Sequence, residues 1–221
     1  MKISNRLKLI ASFVDDNSYI IDVGCDHALL DIFLAKTKNN VKIIASDINK
    51  GPLDSAKKNI ENYNLEDKIE IKLGDGISTI SDSTDTIIIS GLGGETIIDI
   101  LKDKDKLKNI KTIVLSPHSA IYEVRQYITS IGFKIKNETL IYDQNKPYII
   151  IKVIKGKEKY TDDQLFFGPI LIKNKDDCFY QYYKSLKDKD IKILENIPQN
   201  NQRIIRKLTK QIERLDKILK F

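Results

Sequence analysis

The sequence predicts an α/β fold with one largely parallel sheet, followed by a separate helical segment. Three observations support this prediction. Short apolar runs typical of buried strands alternate with helix-like segments over residues 19–130. Two longer β-type runs, separated by a turn-rich stretch, follow over residues 133–154 and indicate an antiparallel hairpin. Apolar residues in the last stretch, 205–219, recur in steps of three and four, which is the spacing of packed helices.

The composition is that of a globular protein with one good core and an appendage. Of the 221 residues, 41% are hydrophobic and 31% are charged. No apolar run approaches the roughly 20 residues that a membrane helix needs, and the N-terminal residues do not resemble a secretion signal. Cys25 and Cys178 lie far apart and lack the spacing of metal ligands. We therefore expect no membrane contact, no metal site and a reducing, cytoplasmic compartment.

The first predicted element is a short amphipathic helix. Apolar residues recur at helical spacing over residues 2–14, so this helix precedes the first strand. Arg6 lies on it, near no other predicted site. A solvated charge is therefore the favoured interpretation of Arg6, and contact with a polyanionic partner is the alternative.

The first strand and the helix after it enclose the most informative turn, at residues 22–28. Asp22 and Asp26 flank Gly24 there, between a β-type run and an apolar helix. Open α/β sheets bind ligands at the carboxyl ends of such strands, and a glycine lets a ligand approach the backbone closely. The second and third glycines of a dinucleotide-binding loop are missing. Two carboxylates favour a cationic, hydroxyl-rich ligand such as S-adenosylmethionine; the alternative is an ordinary turn with solvated acids.

The second strand, predicted over residues 41–47, ends on another acid. Asp47 lies 23 residues beyond Gly24, where an acid can accept hydrogen bonds from both ribose hydroxyls of a nucleoside. The alternative is that Asp47 caps the next helix, which Asn49 opens well. We predict that this helix extends to about residue 63.

The next two strand ends carry glycines. The strand predicted over residues 69–73 stops at Gly74-Asp75-Gly76, a tight turn that directs its carboxylate at an adenine amine or is a plain surface turn. The strand over residues 86–90 ends in the glycine-rich stretch 91–94, which opens a helix over residues 96–107. That stretch either admits a ligand to the backbone or satisfies close helix–sheet packing.

The fifth strand, predicted over residues 111–115, precedes His118. A lone histidine at a strand end is usually structural or solvated, so we do not predict a catalytic role for it. A helix over residues 119–130 and the hairpin then complete the sheet domain.

The composition changes near residue 156, which predicts two domains, residues 1–155 and residues 156–221. The second domain holds 12 Lys and 3 Arg against 7 Asp and 3 Glu, a net charge of +5, whereas the first carries +1. Residues 162–169 are typical of a connector between the two. Charge therefore separates a nearly neutral sheet domain from a basic appendage.

Two helices broken by Pro198 are predicted over residues 176–197 and 199–221. The second helix has an apolar seam that suits a short helical hairpin or coiled coil, and it alone carries a net charge of +5. Its basic stripe is typical of a contact with a phosphate backbone, and a solvated helix face is the alternative. The candidate cations for a contact with a polyanionic partner are Arg6, Arg203, Arg206, Lys207, Lys210 and Arg214, and the family resemblance described next makes that partner RNA.

Together these motifs resemble the bacterial tRNA adenine-N1 methyltransferases that act on position 22. The matching motifs are D-x-G-x-D-H-A at 22–28, S-D-I-N at 46–49, N-x-G-P at 49–52, the turn at 74–76 and G-L-G-G at 91–94. The resemblance covers the α/β domain from S-N-R-L at 4–7 to the last strand, and the basic helical tail agrees with that family's C-terminal domain. It implies a class I, Rossmann-like methyltransferase fold with a seven-stranded sheet, S-adenosylmethionine as cofactor and tRNA as substrate.

With S-adenosylmethionine as the cofactor, we predict a role for each of the turn residues. Asp47 would hold the ribose, Asp75 with Gly76 the adenine ring, and Gly24 with Ser90 and Gly91 the methionine side. The full candidate cofactor set is Asp22, Gly24, Asp26, His27, Asp47, Ile48, Asn49, Asp75, Gly76, Ser90 and Gly91. The chain departs from other amino-methylating enzymes because it lacks N-P-P-Y or D-P-P-Y at the fourth strand. Family members commonly carry Asn where this chain has His118.

The implied chemistry needs little from the protein beyond positioning. Adenine N1 attacks the sulfonium methyl group in line, and the product is cationic, so we assign Asp26 the role of stabilising the developing charge. Two other functions fit the same residues: methylation of a small molecule, with the tail used for dimerisation, and RNA binding without catalysis. No obligate protein partner is indicated.

Overall fold

The structure, a computed structural model, describes residues 3–198 and 200–220, and its framework is a seven-stranded sheet. The strands are β1 (Tyr19–Val23), β2 (Lys42–Asp47), β3 (Ile69–Leu73), β4 (Thr86–Ser90), β5 (Thr112–Ser116), β6 (Phe133–Asp143) and β7 (Lys146–Lys155). The helices of the described residues are α1 (Asn5–Ser12), α2 (Leu29–Thr37), α3 (Lys50–Asn62), α4 (Gly94–Ile100), α5 (Ile121–Ser130), α6 (Asp162–Phe167), α7 (Leu171–Asn174), α8 (Asp177–Asn196) and α9 (Gln202–Leu219).

The strand order is β3-β2-β1-β4-β5-β7-β6, which confirms the predicted seven-stranded sheet. β1 pairs in parallel with both β2 and β4, so the strand order reverses beside β1. β7 is antiparallel to both β5 and β6. In a sheet of this kind, the crevice at the carboxyl ends beside the reversal is where ligands bind.

The central strands form the core of the sheet because they are apolar on both faces. The middle residues of β4 and β5, 87–89 and 113–115, are buried, as are Ile20 and Ile21 of β1. Strands covered on both faces read as continuous apolar runs, which is why the sequence predicts them with accurate bounds. The polar residues therefore collect where these strands end.

One helix prediction was wrong, and one helix was not predicted. The helix predicted over residues 96–107 is α4, which ends at Ile100, and Asp103 then accepts a hydrogen bond from the Asp105 amide (3.2 Å) in a local turn that competes with helix. The predicted connector contains α6. Its Thr161 and Gln164 form a reciprocal capping box, with N–H to oxygen distances of 2.8 and 3.2 Å, a signature that the sequence already carries.

The chain divides into two compact units at Ile170 and Leu171, later than the predicted boundary between residues 155 and 156. The reason is a fully buried ion pair of Arg125 and Glu138, joined at 2.6 Å. Arg125 also donates to the Leu165 and Phe166 carbonyls (3.1 Å each), and Glu138 accepts from the Ile170 amide (3.2 Å). These bonds attach residues 156–170 to the sheet unit.

The second unit contains the two long predicted helices, here α8 and α9. The first and last residues of the predicted 199–221 helix lie outside the described residues, as does residue 2 of the predicted N-terminal helix. In α9 the seam residue Leu215 is buried and the other seam residues are half-buried. Gln211 donates to Asp190 (2.7 Å), and Lys187 pairs with Asp216. This unit is therefore a helical hairpin with a basic outer face.

Candidate active site

The predicted strand-end turns converge at one edge of the sheet. The amides of Gly24 and Cys25 both donate to the Ser46 carbonyl, at 2.8 and 3.0 Å, which joins the β1 turn to β2. The Gly74 amide donates to the Asp47 carbonyl (3.0 Å), which joins the β2 and β3 turns. The Gly91 amide donates to the Ser116 carbonyl (3.1 Å) in the same way between β4 and β5.

The turn after β1 is held in an uncommon backbone conformation. Gly24 has φ +77°, and Asp26 and Ala28 have φ of 52° and 55°, in the left-handed region that non-glycine residues rarely adopt. The Asn59 side chain donates to the His27 carbonyl (2.9 Å) and ties the turn to α3. Asp26 and His27 consequently lie exposed at the edge of the crevice, 3.5 Å apart. Strain of this kind at a ligand-facing turn indicates a functional constraint.

Asp22 contradicts the interpretation of this turn as one with solvated acids. The residue is only 3% exposed, and its Oδ1 atom has no hydrogen-bond partner among the described residues. Burial raises the pKa of Asp22 to about 7; Arg6 acts in the opposite direction and Asp47 adds to the rise. A buried carboxylate without a full set of partners requires a positive group, and a cationic ligand can supply it.

Asp47 serves the helix start as well as the crevice. Its Oδ1 atom accepts a hydrogen bond from the Asn49 amide (2.8 Å), so the capping alternative holds in part. A carboxylate has four acceptor sites, and one amide leaves capacity for a ligand. Beside it, Ile48 and Leu73 are 62% and 60% exposed, although both are large and apolar. Exposed apolar side chains beside a carboxylate suit a flat ring system joined to a sugar that carries hydroxyl groups.

The glycines after β3 are required by packing. A Cβ atom on Gly74 would lie 2.2 Å from Thr79 Cγ2, and one on Gly76, whose φ is +54°, would lie 3.1 Å from Ile100 Cγ1. Asp75 between them is exposed and starts a 3₁₀ turn. The turn therefore presents one carboxylate next to the Asp47 strand end.

The residues of the glycine-rich stretch after β4 differ in their surroundings. Ser90 and Gly91 are half-buried, and Gly91 has φ +83°. A Cβ atom on Gly94 would lie 2.4 Å from the Ser119 carbonyl oxygen and 2.9 Å from Val124 Cγ2, so this glycine allows α4 to pack closely against the start of α5. The packing interpretation therefore holds for Gly94, and a role of Ser90 and Gly91 in ligand binding stays a prediction.

Arg6 is not the solvated charge that the sequence favours. Its guanidinium lies 3.4 Å from His118 Nε2 and 5.0 Å from the centre of the Tyr148 ring. Its backbone amide donates to Asp143 Oδ2 (3.0 Å). The same guanidinium is within 3.7 Å of the Cβ position of Gly91, so α1 contributes to the crevice.

The surroundings of His118 favour its neutral form. Partial burial lowers its pKa, and the charges of Arg6 and Lys146 lower it further. Since a guanidinium can only donate, His118 Nε2 accepts and Nδ1 carries the hydrogen. Sequence reasoning missed Tyr148, because only the antiparallel insertion of β7 beside β5 brings the start of β7 to the carboxyl end of β5.

Comparison with known proteins decides the family. A sequence model described as tRNA (adenine(22)-N(1))-methyltransferase matches residues 20–217, nearly the whole chain. The chain belongs to this family. The tRNA (adenine(22)-N(1))-methyltransferase of Bacillus subtilis is 26% identical over 232 aligned positions, covering 99% of this chain and 98% of that protein.

Solved structures agree with the assignment to the tRNA (adenine(22)-N(1))-methyltransferase family. A Rossmann-superfamily protein from Streptococcus agalactiae has a TM-score of 0.95 and 33% identity, covering 100% of this chain and 98% of that one. The Mycoplasma capricolum enzyme TrmK, solved with the cofactor product S-adenosylhomocysteine, has a TM-score of 0.89 and 27% identity, covering 99% and 98%. The predicted class I methyltransferase fold is thereby confirmed, and S-adenosylmethionine is the cofactor of this family.

The remaining predicted RNA-binding residues lie in the second unit. Arg203, Arg206, Lys207 and Lys210 are exposed on α9, and Arg214 is half-buried. No group of three or more potential metal-ligating side chains occurs in the described part of the chain. Within the same residues, every helix is too short or too polar to cross a bilayer.

Proposed function

We propose that this chain transfers a methyl group from S-adenosylmethionine to N1 of the adenine at position 22 of tRNA. The observation that carries the proposal is the buried Asp22 carboxylate near the end of β1, which lacks a full set of partners and is influenced by Arg6 and by Asp47 at the end of β2. Membership of the family favours this function over small-molecule methylation and over RNA binding without catalysis. Because tRNA is the substrate, we place the reaction in the cytoplasm.

The crevice residues fit the cofactor part by part. Asp47 has acceptor capacity for the ribose hydroxyls, and the exposed Ile48 and Leu73 side chains suit the two faces or edges of the adenine ring. Asp75 and Gly76 lie at the neighbouring turn for the ring's polar edge. The methionine part would lie along Gly24, Ser90 and Gly91, where Asp22 meets its positive charge. His27 and Asn49 are exposed at the edge of the proposed cofactor site.

S-adenosylmethionine, when bound, supplies an electrophilic methyl group attached to a positively charged sulfur. The protein's task is to hold the target adenine in line with it. Adenine N1 lies on the Watson–Crick edge, so the base must leave its pair, at a cost of a few kcal/mol. The exposed Asp26 carboxylate at the crevice edge then stabilises the positive charge that develops on the methylated base.

We assign the Arg6–His118–Tyr148 cluster to the extruded nucleotide. The Arg6 guanidinium lies over the Tyr148 ring, and this pair offers both a stacking platform for a base and a positive charge for the RNA backbone. The cluster lies beside Gly91, next to the proposed methionine seat.

Replacing Tyr148 by Ala should lower kcat/KM for tRNA by about tenfold or more, because stacking on an aromatic ring is worth about 1–3 kcal/mol per base. Calorimetry should show unchanged binding of S-adenosylmethionine. Tyr148→Phe keeps the ring and serves as the matched control, with activity near that of the wild type. Equal losses in the Ala and Phe variants would contradict the stacking role.

The α9 cations should provide part of the grip on tRNA. Replacing Arg203, Arg206 and Lys207 by Gln should weaken tRNA binding and reduce the slope of log affinity against log salt by about 2–3. The matched control replaces three exposed lysines of the sheet unit, Lys57, Lys58 and Lys104. If the α9 triple variant and the control triple variant bind tRNA with equal affinity at every salt concentration, α9 does not contact the RNA.

The proposed function can be tested by measuring whether a radiolabelled methyl group is transferred to tRNA or to small molecules. The enzyme is incubated with methyl-labelled S-adenosylmethionine, bulk tRNA and a small-molecule extract. We expect label in tRNA. Label only in small molecules would support methylation of a small molecule. Binding of tRNA without label in any fraction would support RNA binding without catalysis.

A further inference from the structure

A carboxylate at the end of β6, Asp143, lies at the start of α1. Its Oδ2 atom accepts a hydrogen bond from the backbone amide of Arg6 at 3.0 Å, although the two residues are 137 positions apart. The first amides of a helix have no partner within the helix and need one from outside it. Ser4 accepts from the Leu7 amide (3.2 Å), and the first turn of α1 contains no acid of its own. Asp143 therefore supplies a negatively charged acceptor where a helix favours one.

The hairpin that carries Asp143 also contacts the Arg6 side chain. Tyr148 lies on β7, the other strand of that hairpin, and its ring centre is 5.0 Å from the guanidinium carbon. Asp143 pairs with Lys146 across the two-residue loop 144–145, two positions before Tyr148. One β-hairpin thus contacts Arg6 at both its backbone amide and its guanidinium.

This end of the hairpin has a well-defined geometry. Gln144 and Asn145 both have positive φ, 49° and 61°. Both central residues of a type I′ turn have positive φ, and that turn matches the twist of paired strands. Asp143 and Tyr148, which lie on either side of the loop, are therefore carried by one regular element. Functional side chains are placed more precisely by such an element than by an irregular loop.

The held guanidinium lies at the border of the proposed site. It is 3.4 Å from His118 Nε2 and 3.7 Å from the Cβ position of Gly91, which belongs to the proposed methionine seat. Arg6, Asp143 and Tyr148 are all half-buried, so the guanidinium is open to a ligand. A long side chain that is already held in place loses less conformational entropy when it binds.

We infer that Asp143 is a positioning residue: by fixing the start of α1, it places the Arg6 guanidinium over Tyr148 for contact with the RNA backbone at the target nucleotide. The inference rests on the proposed function, which assigns the Arg6 cluster to the extruded nucleotide. A carboxylate that met the RNA directly would repel its phosphates. Asp143 consequently acts through Arg6, and its removal weakens the use of tRNA rather than strengthening it.

Steady-state methylation of tRNA at saturating S-adenosylmethionine tests this role. Asp143→Ala should raise KM for tRNA about tenfold, the effect of one hydrogen bond to a charged group, and leave kcat and calorimetric cofactor affinity within threefold of the wild type. Asp143→Asn keeps an oxygen for the Arg6 amide, and Asn serves a helix start about as well as Asp. Its KM should stay near the wild-type value. An unchanged or lowered KM in Asp143→Ala, or an equal rise in both variants, overturns the inference.

A double variant shows whether Asp143 acts through Arg6. Arg6→Ala removes the guanidinium and keeps the backbone amide, so adding Asp143→Ala should raise KM by less than about twofold more. A further tenfold rise overturns the inference. A wild-type KM in Arg6→Ala alone overturns it together with the role assigned to Arg6. Methylation of tRNA by the wild type in the same assay establishes the proposed function independently of either residue.

Thermal unfolding separates this role from a purely structural one. Asp143→Ala should lower the thermal midpoint by about 2–4 °C, because a helix-start acceptor is lost. The loss should be equal with Arg6 and with Ala at position 6, since the backbone amide is present in both. The inference therefore predicts a thermal effect in both backgrounds and a KM effect only with Arg6 present. A KM effect that accompanies the thermal loss in both backgrounds overturns it.

Discussion

Asp47→Ala should lose at least about 100-fold in affinity for S-adenosylmethionine and a comparable factor in kcat/KM. The variant lacks the acceptor for two ribose hydroxyls, and hydrogen bonds to a charged group contribute about 1.5–3 kcal/mol each. Calorimetry with S-adenosylmethionine measures the affinity directly. The loss should be the same in the presence and absence of tRNA, because the hydroxyls belong to the cofactor.

Asp47 also accepts the Asn49 amide, so a stability control is needed. Loss of a helix-start acceptor costs about 1 kcal/mol and lowers the thermal midpoint slightly. Asp47→Ser keeps a single oxygen for the Asn49 amide, and it should restore stability without restoring cofactor affinity. Binding by Asp47→Ala within threefold of the wild type would show that Asp47 only caps α3.

The largest expected effect on stability belongs to Arg125→Met. This change leaves the Glu138 carboxylate buried without its partner and removes the donor to the Leu165 and Phe166 carbonyls. Breaking a buried ion pair costs about 3–5 kcal/mol. Urea denaturation should therefore show a correspondingly lower free energy of unfolding, with α6 detached from the sheet unit.

A double variant tests the cause of that loss. Replacing Arg125 by Met and Glu138 by Leu removes the unpaired charge, so part of the stability should return. The exposed pair Lys102 and Asp99 offers the comparison, since removing one partner of a surface pair should change the free energy by less than about 1 kcal/mol. A loss of that small size in Arg125→Met would contradict the structural role of the pair.

The parallel strands could be predicted because their burial on both faces leaves an unambiguous apolar pattern. The strands over residues 69–73 and 86–90 have the predicted bounds, and others differ by a residue or two at their ends. Asp22, Gly24 and Asp47 could be brought together from sequence, because parallel strands all present their carboxyl ends at one edge.

Other parts depend on contacts that no local pattern reveals. Arg6 and Tyr148 come into contact only because β7 runs antiparallel beside β5. The number of strands, which the sequence predicts, does not determine which strands are neighbours. Residues 156–170 join the sheet unit through the buried Arg125, a residue that reads as an ordinary surface charge of an amphipathic helix. Asp31 similarly reads as a helix-start acid, and its burial depends on the packing of α2 against the sheet.

Mapping of the modified nucleotide tests the central claim most directly. A tRNA transcript with adenine at position 22 is incubated with the enzyme and S-adenosylmethionine, digested, and analysed by mass spectrometry beside a transcript with guanine at that position. We predict one N1-methyladenine at position 22 of the first transcript, and none in the second or with Asp47→Ala. Methylation elsewhere, or an unmodified first transcript despite bound cofactor, would contradict the account.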